Sequence, residues 1–386
     1  MSAFGPDHGF GLYVHWPYCS KICPYCDFNV YTAKDRDNGP LVDAILKDIS
    51  AHHRRFGSSK RLDTIYFGGG TPSLLPVGDV ARIIERTRSL YGLREGAEIS
   101  LEANPNDLLR ADLQGLRSAG VNRLSIGVQS LRDEALDFLG RDHDGQTAVR
   151  AVDAALPHFQ SVSIDLIYAR PGQSSDDWGD ELSEALKLGA PHLSLYELTI
   201  EERTAFGHRA ARGDLVPMED DAQADLYELT EEITRAAGLP AYEVSNYAAS
   251  TSHQSQHNLI YWRGGDWIGI GPGAHGRMSE GDKRFALEAA RRPADYIATS
   301  GDDSRLATPK TALSSLEVAR ELVAMGLRPA EGIDRERIET LTGAPLDPEL
   351  VERFETAGLL KQNGSTIALT AAGRLLADRI AADLAP

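Results

Sequence analysis

Short apolar segments alternate with longer amphipathic segments through the first half of the chain. The short segments are rich in Val, Ile, Leu, Phe and Tyr, which is typical of buried strands. The longer segments have the 3.6-residue period of helices that bury one face. The predicted strands are residues 10–16, 62–67, 98–102, 123–129, 162–167 and 192–196. The predicted helices are residues 40–56, a stretch through 84 and 90, 106–119, stretches reaching about 156, and 174–188.

This alternation predicts βαβ units, because a crossover helix is the usual way for a strand to reach a parallel neighbour. Six such units fall short of the eight in a closed TIM barrel. In a parallel α/β sheet, ligands lie beyond the carboxyl ends of the strands. The sequence therefore predicts an α/β fold whose site lies at that edge of the sheet.

The second half of the chain is patterned differently. Residues 218–236 predict a further helix and 241–244 a strand, whereas residues 251–310 are rich in Gly, Ser, Asp and Arg and are interpreted as irregular. From residue 311 the pattern predicts a small helical unit with a hairpin at Asn363-Gly364. Its predicted helices are residues 314–326, 334–341, 346–357 and 371–383.

Helices followed by a two-stranded wing resemble a winged helix, either as a packing module against the main unit or as a DNA-binding element. The pattern divides the chain into three parts. Residues 1–250 form the α/β unit, residues 251–310 the irregular segment, and residues 311–386 the winged-helix-like domain.

The charge balance argues against general nucleic-acid binding. The 386 residues include 40 Lys and Arg against 57 Asp and Glu, a net charge of −17, whereas nucleic-acid binding usually needs a basic face. The N-terminus lacks the basic and apolar regions of a signal peptide, and no stretch of about 18 apolar residues occurs. We therefore expect a soluble cytoplasmic protein.

All the cysteines of the chain lie in one short motif, Cys19-x-x-x-Cys23-x-x-Cys26. Such clustering is wrong for a disulfide framework and suits a metal centre in a reducing compartment. A [4Fe–4S] cube usually takes four cysteines, so three would leave one iron open. A structural zinc site also needs four ligands, and His15 could supply the fourth. The residues alone leave both metal centres possible.

The CxxxCxxC motif with Tyr25 before its last cysteine resembles the radical S-adenosylmethionine superfamily. The string Tyr13-Val-His-Trp-Pro-Tyr-Cys19 narrows the match to the branch that contains oxygen-independent coproporphyrinogen III dehydrogenases and the HemW haem chaperones. This resemblance implies a partial (β/α)6 TIM-like barrel. It also implies a [4Fe–4S] cluster on the three cysteines, with S-adenosylmethionine on the open iron.

Further positions match those that contact S-adenosylmethionine in this family. A Gly-rich loop, Gly68-Gly-Gly-Thr-Pro72, directly follows a predicted strand, and glycines let a backbone present its N–H groups to a ligand. A second one, Gly271-Pro-Gly-Ala-His-Gly276, could cover the adenine. The cofactor-binding residues that the resemblance implies are Tyr13, Tyr25, Gly69, Gly70, Thr71, Glu102, Gln129, Arg141, Asp165, Ala274 and His275.

The segment His257-Asn-Leu-Ile-Tyr-Trp262 resembles the HNxxYW motif of the haem chaperones. Histidine is a usual axial ligand of haem iron, and the aromatic residues of the motif could stack on a porphyrin. His257 is therefore the candidate haem ligand and His253 a lesser one. The alternative is a packed turn in which His257 satisfies internal hydrogen bonds.

Two departures from the coproporphyrinogen dehydrogenases favour the haem-chaperone branch. Those enzymes carry a fourth cysteine two residues after the third, where this chain has Phe28, and a longer segment before the residue equivalent to Tyr13. We therefore expect a chaperone that binds haem and passes it to an unidentified acceptor protein. Membrane association would come only through that acceptor, and a homodimer is compatible with the sequence.

The alternative is an enzyme, an oxygen-independent coproporphyrinogen III dehydrogenase that oxidatively decarboxylates two propionates. A radical methyltransferase is a third option with no sequence mark in its favour. The sequence does not decide whether the chain is an enzyme, nor whether S-adenosylmethionine is cleaved or only bound.

Overall fold

The computed structural model describes residues 3–32, 37–57, 60–301 and 308–386. The strands in these ranges are β1 (Phe10–Trp16), β2 (Tyr18–Cys19), β3 (Tyr31–Thr32), β4 (Leu62–Gly69), β5 (Leu93–Ala103), β6 (Arg123–Gln129), β7 (Ser161–Tyr168), β8 (His192–Glu197), β9 (Asn246–Ala248), β10 (Asp266–Ile270), β11 (His275–Glu280), β12 (Lys283–Glu288), β13 (Lys310–Leu313), β14 (Ile333–Asp334), β15 (Leu360–Asn363) and β16 (Thr366–Leu369).

The α-helices in the same ranges are α1 (Gly39–Phe56), α2 (Val77–Tyr91), α3 (Pro105–Leu108), α4 (Leu113–Ala119), α5 (Asp133–Phe138), α6 (Gly145–Ala155), α7 (Ser175–Lys187), α8 (Ala205–Ala211), α9 (Asp220–Ala236), α10 (Gln256–Trp262), α11 (Pro293–Thr299), α12 (Ser315–Gly326), α13 (Arg335–Thr342), α14 (Pro348–Thr356), α15 (Ala371–Arg374) and α16 (Ala377–Leu384). Short 3₁₀ turns occur at Pro6–His8, Pro72–Leu74 and Thr251–His253. None of the described helices combines the length and the apolar character needed to cross a membrane.

The six predicted strands are neighbours in one parallel sheet, in the order β1-β4-β5-β6-β7-β8. The sheet continues at both ends, so it does not close on itself. The strand β9 pairs antiparallel with β8 at one end, and β10 pairs parallel with β1 at the other. The antiparallel strands β11, β12 and β13 extend the sheet beyond β10. These pairings confirm the prediction of a partial barrel.

Side chains alternate between the two faces of these strands. The outward set packs against the helices and is apolar, as with Leu12 and Val14 on β1 and Ile65 and Phe67 on β4, which are fully buried. The inward set is polar or aromatic and is aligned across the sheet by the register. Inward neighbours in register are Tyr13 with Tyr66, Tyr66 with Ser100, Glu102 with Ser125, Ser125 with Ser163, and Asp165 with Ser194. The interior of this barrel is therefore polar towards its open end.

The described part of the segment 251–310, residues 251–301 and 308–310, is not irregular as the composition suggested, and residues 302–307 lie outside the described residues. It contains α10, α11 and the strands β10 to β12 of the main sheet. The strand β10 lies between Gly265 and Gly271, and this flanking pair of turn residues made the segment read as a loop. The division of the chain at residues 250 and 310 stays a prediction.

Three smaller predictions differ from the structure. The strand expected at 241–244 lies at Asn246–Ala248, although Ala241 bridges to Tyr247. The helix expected at 106–119 is split into α3 and α4, because Asp112 caps a new helix start by accepting from the N–H of Gly115. The helix expected at 371–383 is likewise split into α15 and α16.

The C-terminal domain has the winged-helix-like arrangement that the sequence predicted. A three-stranded sheet in the order β14-β16-β15 packs with α12, α13 and α14 around a separate apolar core. Arginines tie this domain to the barrel. Arg263 makes two hydrogen bonds to Glu331, at 2.7 and 2.8 Å, and Arg337 donates to the carbonyls of Ala3 and Arg263 at 2.9 and 2.7 Å. The two units are therefore docked through ion pairs and backbone contacts.

Candidate functional site

A cavity of about 430 Å³ opens at the carboxyl ends of the parallel strands. The inward side chains of the barrel form its floor, and the loop that carries the cysteines forms one wall. Its size lies in the ~300–1,000 Å³ range of small-molecule sites. The predicted site residues that line it are Cys19, Cys23, Cys26, Tyr25, Gly69, Gly70, Thr71, Glu102, Gln129, Arg141 and Asp165.

Other residues of this cavity were not singled out from the sequence. Among them are Tyr66, Asn104, Ser125 and Tyr196. Three of them occupy inward positions of β4, β6 and β8. The signal that could have found them is the two-residue spacing of polar residues along these strands, such as Thr64 and Tyr66 or Ser163 and Asp165.

The cysteine loop leaves β1 and returns beside it. Its two ends are held together by the short parallel pairing of β2 with β3, in which Cys19 lies opposite Thr32. Cys19 is buried, whereas Cys23 and Cys26 are half-buried. The Arg141 guanidinium donates from Nη1 to Cys23 Sγ at 3.4 Å. This contact places the positive charge of Arg141 beside the cysteine loop.

The donor set fits an iron–sulfur cluster better than zinc. His15 has no lone pair left for a metal, because its Nε2–H donates to the Asn29 carbonyl at 3.0 Å and its Nδ1 accepts from the Tyr13 hydroxyl at 3.0 Å. These hydrogen bonds argue against His15 as the fourth ligand of a Cys3His zinc site. Among the described residues no three His, Cys, Asp or Glu side chains are arranged to hold one metal ion, whereas in a cube each cysteine binds its own iron.

The first Gly-rich loop is pressed against the cysteine loop. The N–H groups of Gly70 and Thr71 donate to the carbonyls of Trp16 and Tyr18 at 2.6 and 2.9 Å. A Cβ on Gly70 would lie 2.7 Å from the Tyr18 carbonyl oxygen, so only glycine fits there. The sequence predicted N–H groups presented to a ligand, but these two bind the neighbouring loop instead. The Gly-rich loop therefore holds the cysteine loop in place while it lines the cavity.

Glu102 stands on β5 at the centre of the cavity floor. It accepts hydrogen bonds from the Tyr66 hydroxyl at 2.9 Å and from the Gly69 N–H at 3.2 Å. Burial raises its pKa to about 7, against the lowering effect of the Tyr66 hydrogen bond. Glu102 is thus held in one orientation and can gain or lose a proton near neutral pH.

Asp165 on β7 is the second carboxylate of the floor. The hydroxyls of Ser125 and Ser163 donate to it at distances of 2.8 to 3.0 Å. Burial raises its pKa to about 6, although these hydrogen bonds lower it. Two carboxylates with raised pKa values in one cavity are suited to binding a cationic ligand such as a sulfonium or an ammonium group.

Gln129 and Arg141 lie between the carboxylates and the cysteine loop. Gln129 has a φ of 65°, in the left-handed region that non-glycine residues seldom occupy, at a register shift between β6 and β7. Strained backbone of this kind clusters at functional sites. The second guanidinium nitrogen of Arg141, Nη2, donates to the Gly127 carbonyl at 3.0 Å and to Asn104 Oδ1 at 3.4 Å. Both residues were predicted, and both reach the cavity.

Tyr13, Ala274 and His275 do not line the cavity. Tyr13 lies deeper in the barrel, where its hydroxyl binds His15. Ala274 is 1% exposed, whereas His275 is an exposed residue. The loop that contains the last two residues packs on the base of the cysteine loop, since a Cβ on Gly271 would lie 2.3 Å from the His15 carbonyl oxygen. The cover over the adenine by this loop stays a prediction.

The structure does not support His257 as a haem ligand. The residue is 1% exposed, at the deep end of the barrel interior. Its Nδ1 is 2.6 Å from Thr64 Oγ1 and its Nε2 is 2.6 Å from the Tyr261 hydroxyl, so both ring nitrogens have partners. His253, the lesser candidate, is half-buried in a 3₁₀ turn before α10 and is not part of the cavity lining.

Sequence profiles of two families match this chain. The profile of the radical SAM superfamily matches residues 13–185, and that of the HemN C-terminal domain matches residues 313–376. Among solved structures, the coproporphyrinogen III oxidase HemN from Escherichia coli has a similar fold, with a TM-score of 0.79 and 22% identity over 98% of this chain and 90% of HemN.

Curated relatives match over a large part of the chain. The haem chaperone HemW of Mycobacterium tuberculosis is 36% identical over 97% of this chain and 94% of its own length. The HemW of Escherichia coli is 41% identical over 71% of both chains. The mitochondrial radical S-adenosyl methionine domain-containing protein 1 of Dictyostelium discoideum is 35% identical over 97% of this chain and 94% of its own. The chain therefore belongs to the radical S-adenosylmethionine superfamily, as a HemW-like member with a HemN C-terminal domain.

Proposed function

We propose that the chain is a haem chaperone that carries a [4Fe–4S] cluster, binds S-adenosylmethionine and delivers haem to an acceptor protein. The HemW relatives support this assignment, because their similarity extends over nearly the whole chain. The three cysteines and the cavity beside them support the cluster and its ligand.

The observation that carries the haem assignment is an apolar rim at the cavity mouth. The rim consists of Ile22 and Phe28 of the cysteine loop, which are 42% and 64% exposed and both line the cavity. Exposed apolar side chains grouped at one opening mark a binding surface. A planar apolar macrocycle can lie across such a rim. Phe28 also occupies the place of the fourth cysteine of the dehydrogenases, so apolar surface replaces a thiol there.

The residues of the cavity have separable tasks in this proposal. Cys19, Cys23 and Cys26 would hold three irons, and the bound cluster and S-adenosylmethionine would supply one-electron chemistry. Burial raises the pKa of Cys26 to about 11 and also raises that of Cys19, so metal binding has to displace protons from both thiols. Glu102 and Asp165 would bind and orient the cationic end of the ligand.

The test is a haem titration of the anaerobically reconstituted protein, followed by its Soret absorbance. We expect saturable one-to-one binding that Phe28→Ser weakens by about tenfold, since burial of a phenyl ring contributes ~1.5–3 kcal/mol. Leu316→Ser is the matched control, because Leu316 is 42% exposed on α12 of the C-terminal domain. It should leave the affinity unchanged.

Two results would contradict the proposal in different ways. If Phe28→Ser and Leu316→Ser weaken haem binding equally, the rim is not the haem site. Absence of saturable haem binding, together with conversion of coproporphyrinogen III by the reduced protein, would replace the chaperone with the oxidative decarboxylase.

A further inference from the structure

The HNxxYW segment forms a plug at the deep end of the barrel. Its helix α10 is fixed by Glu98 on β5, whose carboxylate accepts from the N–H groups of Gln256 and His257, both at 3.1 Å. From this position the His257 ring reaches into the interior. There it is bonded to Thr64 on one side and to Tyr261 on the other. Burial lowers the pKa of His257 to about 3, so the ring is neutral.

The imidazole of His257 is stacked beneath two tyrosines. Its centroid lies 5.0 Å from that of Tyr66, with 21° between the ring planes, and 6.3 Å from that of Tyr13, with 28° between the planes. The two tyrosine rings lie 6.2 Å from each other. Three flat side chains thus form one stacked group between the plug and the cavity floor.

Each tyrosine of this group holds a different half of the site. The Tyr66 hydroxyl donates to Glu102, whose other oxygen accepts from the N–H of Gly69 in the Gly-rich loop. The Tyr13 hydroxyl donates to His15, which donates in turn to the Asn29 carbonyl at the end of the cysteine loop. His257 therefore supports both the carboxylate that faces the ligand and the loop that carries the thiols.

We propose that His257 is a positioning residue for S-adenosylmethionine, which acts through Tyr66 on Glu102 and through Tyr13 on the cysteine loop. The HNxxYW segment then serves the cavity from below and does not ligate haem. This inference rests on the S-adenosylmethionine site of the proposed function. It gives the HNxxYW segment the task of supporting that site, and not the task of binding haem iron.

The His257 ring is tightly packed, and its neighbours leave no room for additional atoms. A Cβ on Gly11 would lie 2.7 Å from Thr64 Oγ1 and 3.1 Å from two atoms of the His257 ring. The absence of a side chain at Gly11 thus makes room for the imidazole. Removal of the ring leaves Tyr66 without its stacking partner, and α10 cannot shift to compensate while Glu98 holds its start.

The experiment measures S-adenosylmethionine affinity by calorimetry on anaerobically reconstituted protein, with iron content and the electron paramagnetic resonance signal of the reduced cluster recorded for each sample. The variants are His257→Ala, His257→Phe and Tyr66→Phe, with His158→Ala as the control histidine. We expect His257→Ala and Tyr66→Phe each to weaken binding by about tenfold or more, because each loosens a hydrogen bond to a charged group. The control should match the wild type.

The double variant His257→Ala with Tyr66→Phe tests the route of the effect. If His257 acts partly through Tyr66, the loss of S-adenosylmethionine affinity in the double variant is smaller than the product of the two single-variant losses. Fully multiplied losses would overturn the proposed route. His257→Phe keeps the flat ring and loses both hydrogen bonds, so it should lie between the wild type and His257→Ala. Since His257→Phe keeps a ring at this position, the role of His257 is still tested where His257→Ala does not fold.

A haem titration of the same samples distinguishes a role of His257 in S-adenosylmethionine binding from a role in haem ligation. We expect each His257 variant to bind haem within twofold of the wild type. Loss of haem binding with unchanged S-adenosylmethionine affinity would overturn the inference and make His257 a haem ligand. If the wild type itself binds no haem but does bind S-adenosylmethionine, the proposed function fails and the inference about His257 is still decided by the calorimetry.

Discussion

Substitution of Glu102 by Gln should change the pH dependence of stability by a predictable amount. The folded protein holds this carboxyl with its pKa raised from 4.5 to about 7 by burial. Because the folded pKa lies above the unfolded one, the wild type loses stability as the pH rises through this window. Over the span from pH 5.5 to pH 8.5, the linkage equation with these two pKa values gives a loss of about 2 kcal/mol.

Gln has nearly the same shape and does not titrate, so the Glu102→Gln protein lacks this loss. It also lacks one acceptor, since a single amide oxygen cannot serve both Tyr66 and the Gly69 N–H. That defect costs about 1–2 kcal/mol and is independent of pH. The variant should therefore be about 1–2 kcal/mol less stable than the wild type at pH 5.5, and as stable or up to about 1 kcal/mol more stable at pH 8.5.

The assay is urea denaturation of the cluster-free protein at both pH values, followed by tryptophan fluorescence. The decisive quantity is the difference in unfolding free energy between variant and wild type, which should shift by about 2 kcal/mol in favour of the variant at the higher pH. Other titrating groups are present in both proteins and cancel in this difference. Parallel pH profiles would refute the burial of an ionisable Glu102. The same variant should bind S-adenosylmethionine more weakly, because the floor loses a negative charge.

Three further changes test other parts of the structure. Ala substitution of Cys19, Cys23 or Cys26 should each abolish the brown absorbance of the reconstituted cluster, and full retention of iron and sulfide in any of them would contradict the ligand assignment. Gln129→Gly should increase the free energy of unfolding by up to ~1 kcal/mol, seen as a slightly higher melting temperature, because glycine tolerates the φ of 65°. The same change should weaken cofactor binding, because it removes a side chain that lines the cavity. Asp266→Asn should destabilise the fold by about 3–5 kcal/mol, since it removes the carboxylate that lies 3.3 Å from the buried Arg284, and an unchanged thermal unfolding curve would argue against that ion pair.

The strands and the cysteine motif were accessible from the sequence because their signals are local. Each of the six strands is a compact apolar run before a helical pattern, and the three cysteines lie within one loop. The strand β10 was missed for a related reason. Its five residues stand between glycines, and only its pairing with β1 makes it a strand. That pairing joins distant parts of the chain, so no local pattern reveals it.

The site residues also divide into those that a local pattern reveals and those that depend on distant contacts. Glu102, Gln129 and Asp165 come at strand ends, where topology alone directs side chains to a ligand site. His257 was placed in the site by its motif, and the structure instead puts it beneath Tyr66, on the far side of the cavity floor. The orientation of a side chain on a short helix depends on what lies opposite, here Thr64 and the space left by Gly11. Neither neighbour can be identified without the fold.

The pairing of β1 with β10 also bears on how the protein is made. The strand that carries the cysteine loop pairs on one side with β4 and on the other with β10. The second partner leaves the ribosome roughly 250 residues later, which takes on the order of 10–50 s at typical rates of synthesis. During that time β1 has an unpaired edge, which is a site of aggregation and mispairing. Iron–sulfur assembly on a completed barrel therefore begins only after most of the chain has been translated.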